Sequence, residues 1–302
     1  MEALLESCVR LAIPLLLAAL GELVIERGGV INIGVEGTML VGAFTGFAVG
    51  VGTGSPLLGV LAAGLAGASV GLVFGFFVLV RRADQIVVGT AINLLALGST
   101  GLAARAIWQG AVPTGETVAA WPMPLLVDLP WIGPAFFGQG VHAWLAFALA
   151  PGVAWFLVRT RPGLQLRAVG EGARAADAEG VSVLRTRALA IAFGTTVMGI
   201  AGSTLSLSLS NTFTEGMTSG RGFIALTVVI FARWSPLGAV AAALFFGAAT
   251  AAQARLQAMG TAVPYQLTLM LPYVLTLLVL AVAARRGVGP ADLGQPFSRE
   301  SQ

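Results

Sequence analysis

Long apolar runs alternate with short polar or glycine-rich breaks from one end of the chain to the other. A bilayer core is crossed by about 20 apolar helical residues. Runs of that length stand at Cys8–Ile25, Val30–Val51, Pro56–Val80, Ile86–Ile107, Val141–Val158, Ala188–Ser208, Pro236–Gln253 and Pro264–Ala284. Between Ser208 and Pro236 lies NTFTEGMTSGRGFIALTVVIFARWS, whose apolar part is too short for a regular crossing. Its polar, glycine-containing start predicts an extended stretch feeding a half-helix, which membrane proteins tolerate only where the backbone is buried in protein or lines a cavity. The pattern therefore predicts an all-α, polytopic helical membrane protein with eight full spans and one broken crossing, in a single transmembrane domain over residues 1–302.

Composition agrees with the pattern and removes several kinds of chemistry. Charged residues make up 10% of the chain and hydrophobic ones 57%, with a mean hydropathy of +0.88. A soluble domain carries about 25% charged residues, so this chain lacks the polar surface to cover itself in water. One cysteine, Cys8, and one histidine, His142, leave no disulfide, no cysteine metal cluster and no paired-histidine zinc motif to build. All 17 basic residues are arginine. Without a lysine there is no P-loop to reach nucleotide phosphates and no Schiff-base chemistry, and the scattered arginines are no nucleic-acid footprint. GASVG at Gly67–Gly71 matches the hydrolase serine pattern only in letters, since it lies inside a glycine ladder and a single histidine serves the whole chain. The opening MEALLESCVRLAIP is acidic where a signal peptide is basic, so the first helix is expected to stay.

Arginines near span ends set the orientation. With the amino terminus outside and nine crossings, only Arg10, Arg105, Arg221 and Arg255 fall outside, and the other 13 of the 17 fall in the cytoplasm together with the carboxy terminus. The loop over residues 108–140, with WPMPLLVDLPWIGP, then faces out as an interfacial cap, and the segment 159–187 lies in the cytoplasm.

Inside the spans two ladders of small residues, Gly42, Gly46, Gly50, Gly54 and Gly59, Ala63, Gly67, Gly71, Gly75, predict close helix packing. Ionisable and amide residues are few there: Glu22, Asn32, Glu36, Asn93 and Gln253. A charge at membrane depth costs at least about 2.5 kcal/mol, so each needs a cavity, an interface or a partner. Glu22 stands less than two turns from Arg27 and is expected to pair with it. Asn32 and Glu36, read as one turn apart on one helical face, either line a pathway or bind a neighbouring helix. Asn93 reads as a bond between helices or a pathway contact, and His142 as an interfacial residue without a special role. Ser203, Thr204, Ser206, Ser208, Ser210, Asn211 and Thr212 place hydroxyls and an amide just before the broken crossing. The pathway candidates are thus Asn32, Glu36, Asn93, Ser206 and Asn211. They suit a neutral, polar cargo, because the spans offer no charged cluster for an ionic one.

The stretch GLQLRAVGEGARAADAEGVSVLRTR, Gly163–Arg187, is the polar exception in an apolar chain. Leu164, Leu166, Ala168, Val169, Ala173 and Ala176 alternate with Arg167, Glu171, Arg174 and Asp177, as in a short amphipathic helix lying across the membrane face.

With ERGGVINIGVEGTMLVGAFTGF (Glu26–Phe47), GLQLRAVGEGARAADAEGVSV (Gly163–Val183), GRGFIALTVVIFARWSPLGAVAAALFFG (Gly220–Gly247) and LPYVLTLLVL with GPADLGQPF (Leu271–Phe297), the chain resembles the membrane subunits of bacterial ABC importers. Specifically it resembles the ribose/branched-chain amino acid permease superfamily, in its nucleoside, simple-sugar-like branch. The resemblance implies the permease fold and a bacterial inner-membrane location. It makes the 163–171 segment the coupling helix, with Gly163, Leu166, Arg167, Ala168, Gly170 and Glu171 touching a separate ATPase. Ala173–Arg174 departs from the Asn-Pro pair common there. The resemblance further implies a second permease chain, ATPase subunits that bind ATP and magnesium, and a substrate-binding lipoprotein, with no catalysis and no cofactor in this chain. A sugar or branched-chain amino acid permease is the alternative within the family. An ion-coupled transporter is disfavoured because the spans show no paired carboxylates, and a membrane hydrolase by the lone histidine.

Overall fold

The computed structural model describes residues 2–119, 127–128, 133–259, 265–283 and 289–298. Among them the regular elements are helices: α1 (Glu2–Arg27), α2 (Val35–Thr53), α3 (Pro56–Gly75), α4 (Gln85–Trp108), α5 (Val141–Arg159), α6 (Arg161–Glu171), α7 (Ala173–Ala178), α8 (Val183–Thr204), α9 (Arg221–Phe231), α10 (Pro236–Ala258) and α11 (Tyr265–Ala283). Helices α3 and α8 each run on into a π-helical turn, at Phe76–Val80 and Leu205–Leu209. Seven of the helices are long and apolar enough to cross a membrane, and Arg221–Phe231 and Gln266–Val279 are shorter apolar helices. Most of WPMPLLVDLPWIGP, and the Arg285, Arg286 and Arg299 used for orientation, lie outside the described residues.

Local chemistry starts several of these helices. Asp84 accepts from the N–H groups of Ile86 and Val87 at 2.9 Å each, Thr160 accepts from Gly163 at 3.1 Å, and Ser235 from Gly238 at 3.3 Å. Each satisfies a donor that a helix start otherwise leaves orphaned.

Helix α1 is the central post. From Ala12 to Glu26 its residues are buried, with α5, α8, α9 and α10 around it. The ladders pack α2 and α3 onto α8: a methyl placed on Gly42 would lie 2.6 Å from Cα of Gly199, and one on Gly46 2.9 Å from Cβ of Ser203. Without side chains at these points the backbones touch, which recovers dispersion energy that lipid cannot supply. Large apolar side chains such as Leu61, Leu65, Leu72, Leu94 and Leu95 point outward from α3 and α4.

The span expected over Val30–Val51 is not one helix. α1 ends at Arg27, residues 28–34 are non-helical, and α2 begins only at Val35. Asn32 and Glu36 therefore do not share a helical face. The second break, ahead of α9, is where the sequence puts it: a non-helical stretch over residues 210–220, then an 11-residue helix.

Candidate functional site

Two breaks in a membrane domain expose backbone groups that cost several kcal/mol each if left unpaired in hydrocarbon. The intramembrane polar residues are placed where those groups are. In the first break, the N–H of Ile31 donates to Oε1 of Gln85 at 2.7 Å, that of Asn32 to Oε1 of Glu22 at 3.0 Å, and that of Gly34 to Oδ1 of Asn32 at 2.9 Å. Asn93 spans the start of α2, donating to the carbonyl of Ile33 at 3.0 Å and accepting from the N–H of Gly37 at 2.7 Å. In the second break, both carboxylate oxygens of Glu36 accept backbone N–H bonds, from Gly220 and from Gly222, each at 2.7 Å. Glu36 is thus the negative cap on the α9 half-helix, where the helix dipole favours an anion.

The end of α1 clamps a third irregular point. Arg233 and Trp234, at the α9–α10 turn, both have positive φ (53° and 54°), a costly conformation for bulky residues. The carboxylate of Glu26 accepts from the indole N–H of Trp234, and Arg27 donates to the Trp234 carbonyl through Nε at 3.2 Å and Nη2 at 2.9 Å. Arg27 is therefore engaged with Trp234, and the expected Glu22–Arg27 pair is replaced by the Glu22–Asn32 bond. Glu22 and Glu26, one turn apart and both buried, do form a carboxyl pair inside the protein. The sequence missed it because Glu26 falls just beyond the apolar run. Each of its members holds a break or a turn of the chain itself.

His142 is buried rather than interfacial. Its Nε2 lies 3.1 Å from Oγ of Ser203 and its Nδ1 2.9 Å from Oγ of Ser208, on either side of the start of the π-helical turn. Ser203 already donates to the carbonyl of Ile200 at 2.7 Å, so the tautomer with the proton on Nε2 satisfies both contacts. Ser206 donates to the carbonyl of Ala43 at 2.8 Å and ties the same turn to α2. Asn211, with φ of 53°, accepts through its carbonyl from the N–H of Gly115 at 2.8 Å. The pathway candidates lie at three places among the described residues. Asn32 and Asn93 meet at the first break, Glu36 reaches the second, and Ser206 and Asn211 lie along the α8 extension. Two outward grooves of about 800 Å³ and 790 Å³ flank α8 and contain none of them.

The polar exception in the sequence folds as α6 and α7, separated at Gly172. Gly163, Leu166, Val169 and Gly170 face inward. A methyl on Gly163 would meet Cα of Leu157 at 2.8 Å, one on Gly170 the N–H of Gly29 at 3.3 Å, and Leu166 closes over Gly28. Of the six residues expected to touch a partner, Gly163, Leu166 and Gly170 are thus spent on seating the helix. Ala168 and Glu171 are exposed, Arg167 is half-buried, and Leu164 and Gln165 join them on the outer face. Leu164 is 59% exposed.

The segment Gly289–Ser298 lies against α6 and α7. Asp292 donates its N–H to the Gly170 carbonyl at 2.9 Å and accepts through Oδ2 from the N–H of Ala173 at 2.6 Å. Gly294 donates to the Gly29 carbonyl at 3.1 Å. Arg187, buried in α8, donates through Nε to the Gly28 carbonyl and through Nη1 to the Gln295 carbonyl, both at 2.9 Å. Phe297 packs on Val169, Ala173, Ala176 and Val183.

The family model described as branched-chain amino acid transport system / permease component matches residues 4–280. The guanosine ABC transporter permease protein NupQ of Bacillus subtilis is 38% identical over 300 residues, covering 95% of this chain and 93% of its own length. A putative glucose ABC transporter permease protein, TsgC13 of Haloferax volcanii, is 37% identical and covers 98% of both chains. The nucleoside ABC transporter permease protein NupC of Lactococcus lactis is 34% identical, covering 92% of this chain and 90% of its own.

Proposed function

The chain belongs to the branched-chain amino acid transport system / permease component family, and from that premise we propose that it is the translocating subunit of an ABC importer for nucleosides. The observation that supports this best is α6: a helix outside the apolar spans, seated by glycines on its inner face and presenting Leu164, Gln165, Ala168 and Glu171 outward. Such a surface suits a groove on a soluble protein. In this reading that protein is an ATPase that binds ATP and magnesium and hydrolyses the ATP, and this chain does no covalent chemistry. ATP-driven movement of α6 and α7 as a body switches the access of a passage formed with a second permease of the same family. A lipoprotein outside delivers the cargo. The amino terminus lies outside, and α6, α7 and the carboxy terminus lie in the cytoplasm.

The choice of nucleoside rests on the Bacillus and Lactococcus relatives. The Haloferax relative supports a sugar as the second reading. Glu36 and Asn93 shape the wall of the passage through the backbone they hold, while Asn32 and Ser206 stay inside the protein. Uptake of labelled guanosine by the importer reconstituted with its ATPase, second permease and lipoprotein tests the reading. Competition by excess unlabelled inosine but not by ribose or glucose is expected. Competition by the sugars and not by inosine would replace the nucleoside with a sugar.

A further inference from the structure

We propose that the segment Gly289–Ser298 is a mechanical tie that carries movement of α6 and α7 into the broken stretch ahead of α2, with Asp292 and Arg187 as its positioning residues. The inference rests on the reading of α6 as the ATPase-coupling helix.

Three residues, Asp292, Gly294 and Gln295, make the link. Asp292 bridges the Gly172 break between the two coupling helices, with its N–H on Gly170 and its carboxylate on Ala173. Two residues later Gly294 is bonded to Gly29, and Gln295 then accepts from Arg187. The Arg187 guanidinium closes the ring by donating to Gly28. The tie thus has one end on the helices that face a partner and the other on the non-helical stretch 28–34. From there the contacts continue: Glu36, in the first turn of α2, holds the N–H groups of Gly220 and Gly222 at the start of α9. Close packing of Gly170 against Gly29 and of Leu166 against Gly28 means that α6 cannot shift without loading that stretch. Packed contacts of this kind pass a rigid-body displacement onward rather than absorbing it. A glycine-bounded, non-helical stretch with its backbone held by side chains is an element suited to two arrangements, as coupling between sites requires.

Asp292 touches neither the outer face of α6 nor the passage, so its replacement separates transmission from docking. In the reconstituted importer Asp292→Ala is expected to leave ATPase binding and ATP hydrolysis in place and to lower nucleoside uptake per ATP hydrolysed. Losing a charge-assisted bond predicts a fall on the order of tenfold or more. Asp292→Asn keeps an oxygen for Ala173 and is expected to restore most of the ratio. Arg187→Lys, which keeps the charge but loses the fork that spans Gly28 and Gln295, is expected to uncouple as well. An unchanged ratio in Asp292→Ala overturns the proposal. So does loss of ATPase binding in that variant, because the segment would then only shape the docking face. Failure of Asp292→Ala and Asp292→Asn alike to insert would make it a folding element and overturn it too. The coupling reading itself is tested apart, by Ala168→Trp on the outer face, since Glu171 accepts from the N–H of Ala291 and belongs to the tie as well. If that variant leaves ATPase binding intact, the reading of α6 fails whatever Asp292 does.

Discussion

Replacing Glu36 by glutamine asks whether this carboxylate holds the protein or meets the cargo. Both oxygens accept backbone N–H bonds at 2.7 Å, and they do so at the start of a half-helix whose dipole adds to the attraction. Glutamine keeps one acceptor and turns an NH₂ group toward the other N–H, so one charge-assisted bond is lost and a donor faces a donor. Such a bond is worth about 1.5–3 kcal/mol when buried. Glu36 is half-buried, and water can reach part of the site, so a loss of about 2 kcal/mol is the reasonable figure. That corresponds to roughly a thirtyfold shift toward the undocked half-helix. The expected outcome is a lower melting temperature and a lower yield of assembled importer, with uptake per assembled complex near that of the parent. Glu36→Asp, one methylene shorter, is expected to behave like the glutamine variant because it cannot reach both glycines. Melting and yield unchanged, with uptake per complex severalfold lower, would refute the argument and make Glu36 a cargo contact.

Gly42→Ala puts a methyl 2.6 Å from Cα of Gly199 and must push α2 off α8; overpacking of this kind costs about 1–3 kcal/mol, visible as a fall of several degrees in melting temperature, whereas the same change at Gly52, which has open space around it, is expected to be silent. Ala168→Trp on the outer face of α6 is expected to abolish capture of the ATPase with normal insertion, while Gly163→Ala, whose methyl would lie 2.8 Å from Cα of Leu157, lowers the amount of folded chain instead; the opposite assignment would show that the two faces of α6 have been exchanged. A reporter placed within Thr114–Ala119 is expected to read external and one within Ala175–Glu179 cytoplasmic, and reversal of the pair would invert the orientation.

The apolar runs alone carried the fold class, the short α9 and the extended stretch before it, because span length and hydropathy are local properties. The break at residues 28–34 was not legible, since Val30, Ile31 and Ile33 keep the run apolar and the partners that make the break affordable, Glu22, Gln85 and Asn93, sit on other helices. Glycines on both sides of Asn32 were the available sign. His142 was misjudged for the same reason: its serines lie 61 and 66 residues away. The short helices in Gly163–Arg187 were legible in the alternation of charged and apolar residues, but charge does not tell which side of a short helix is packed. Gly163 and Gly170, seven residues apart, are two turns of one buried stripe, a spacing that marks the inner face rather than the outer one.

The clamp that α1 places on Trp234 has a consequence for the birth of the protein. Glu26 and the indole that binds it are separated by 208 residues, so at about 5–20 residues per second roughly 10–40 seconds of synthesis pass between the making of one and of the other. Through that interval the first helix already holds Glu26 without its indole, whereas the N–H that Glu22 accepts, on Asn32, follows ten residues later. Either the helix waits near the edge of the bilayer, where water still serves that carboxyl, or it settles fully only when α9 and α10 arrive. The central post of the finished structure then reaches its final depth only after α9 and α10 are made, and the order of insertion is not the order of the sequence.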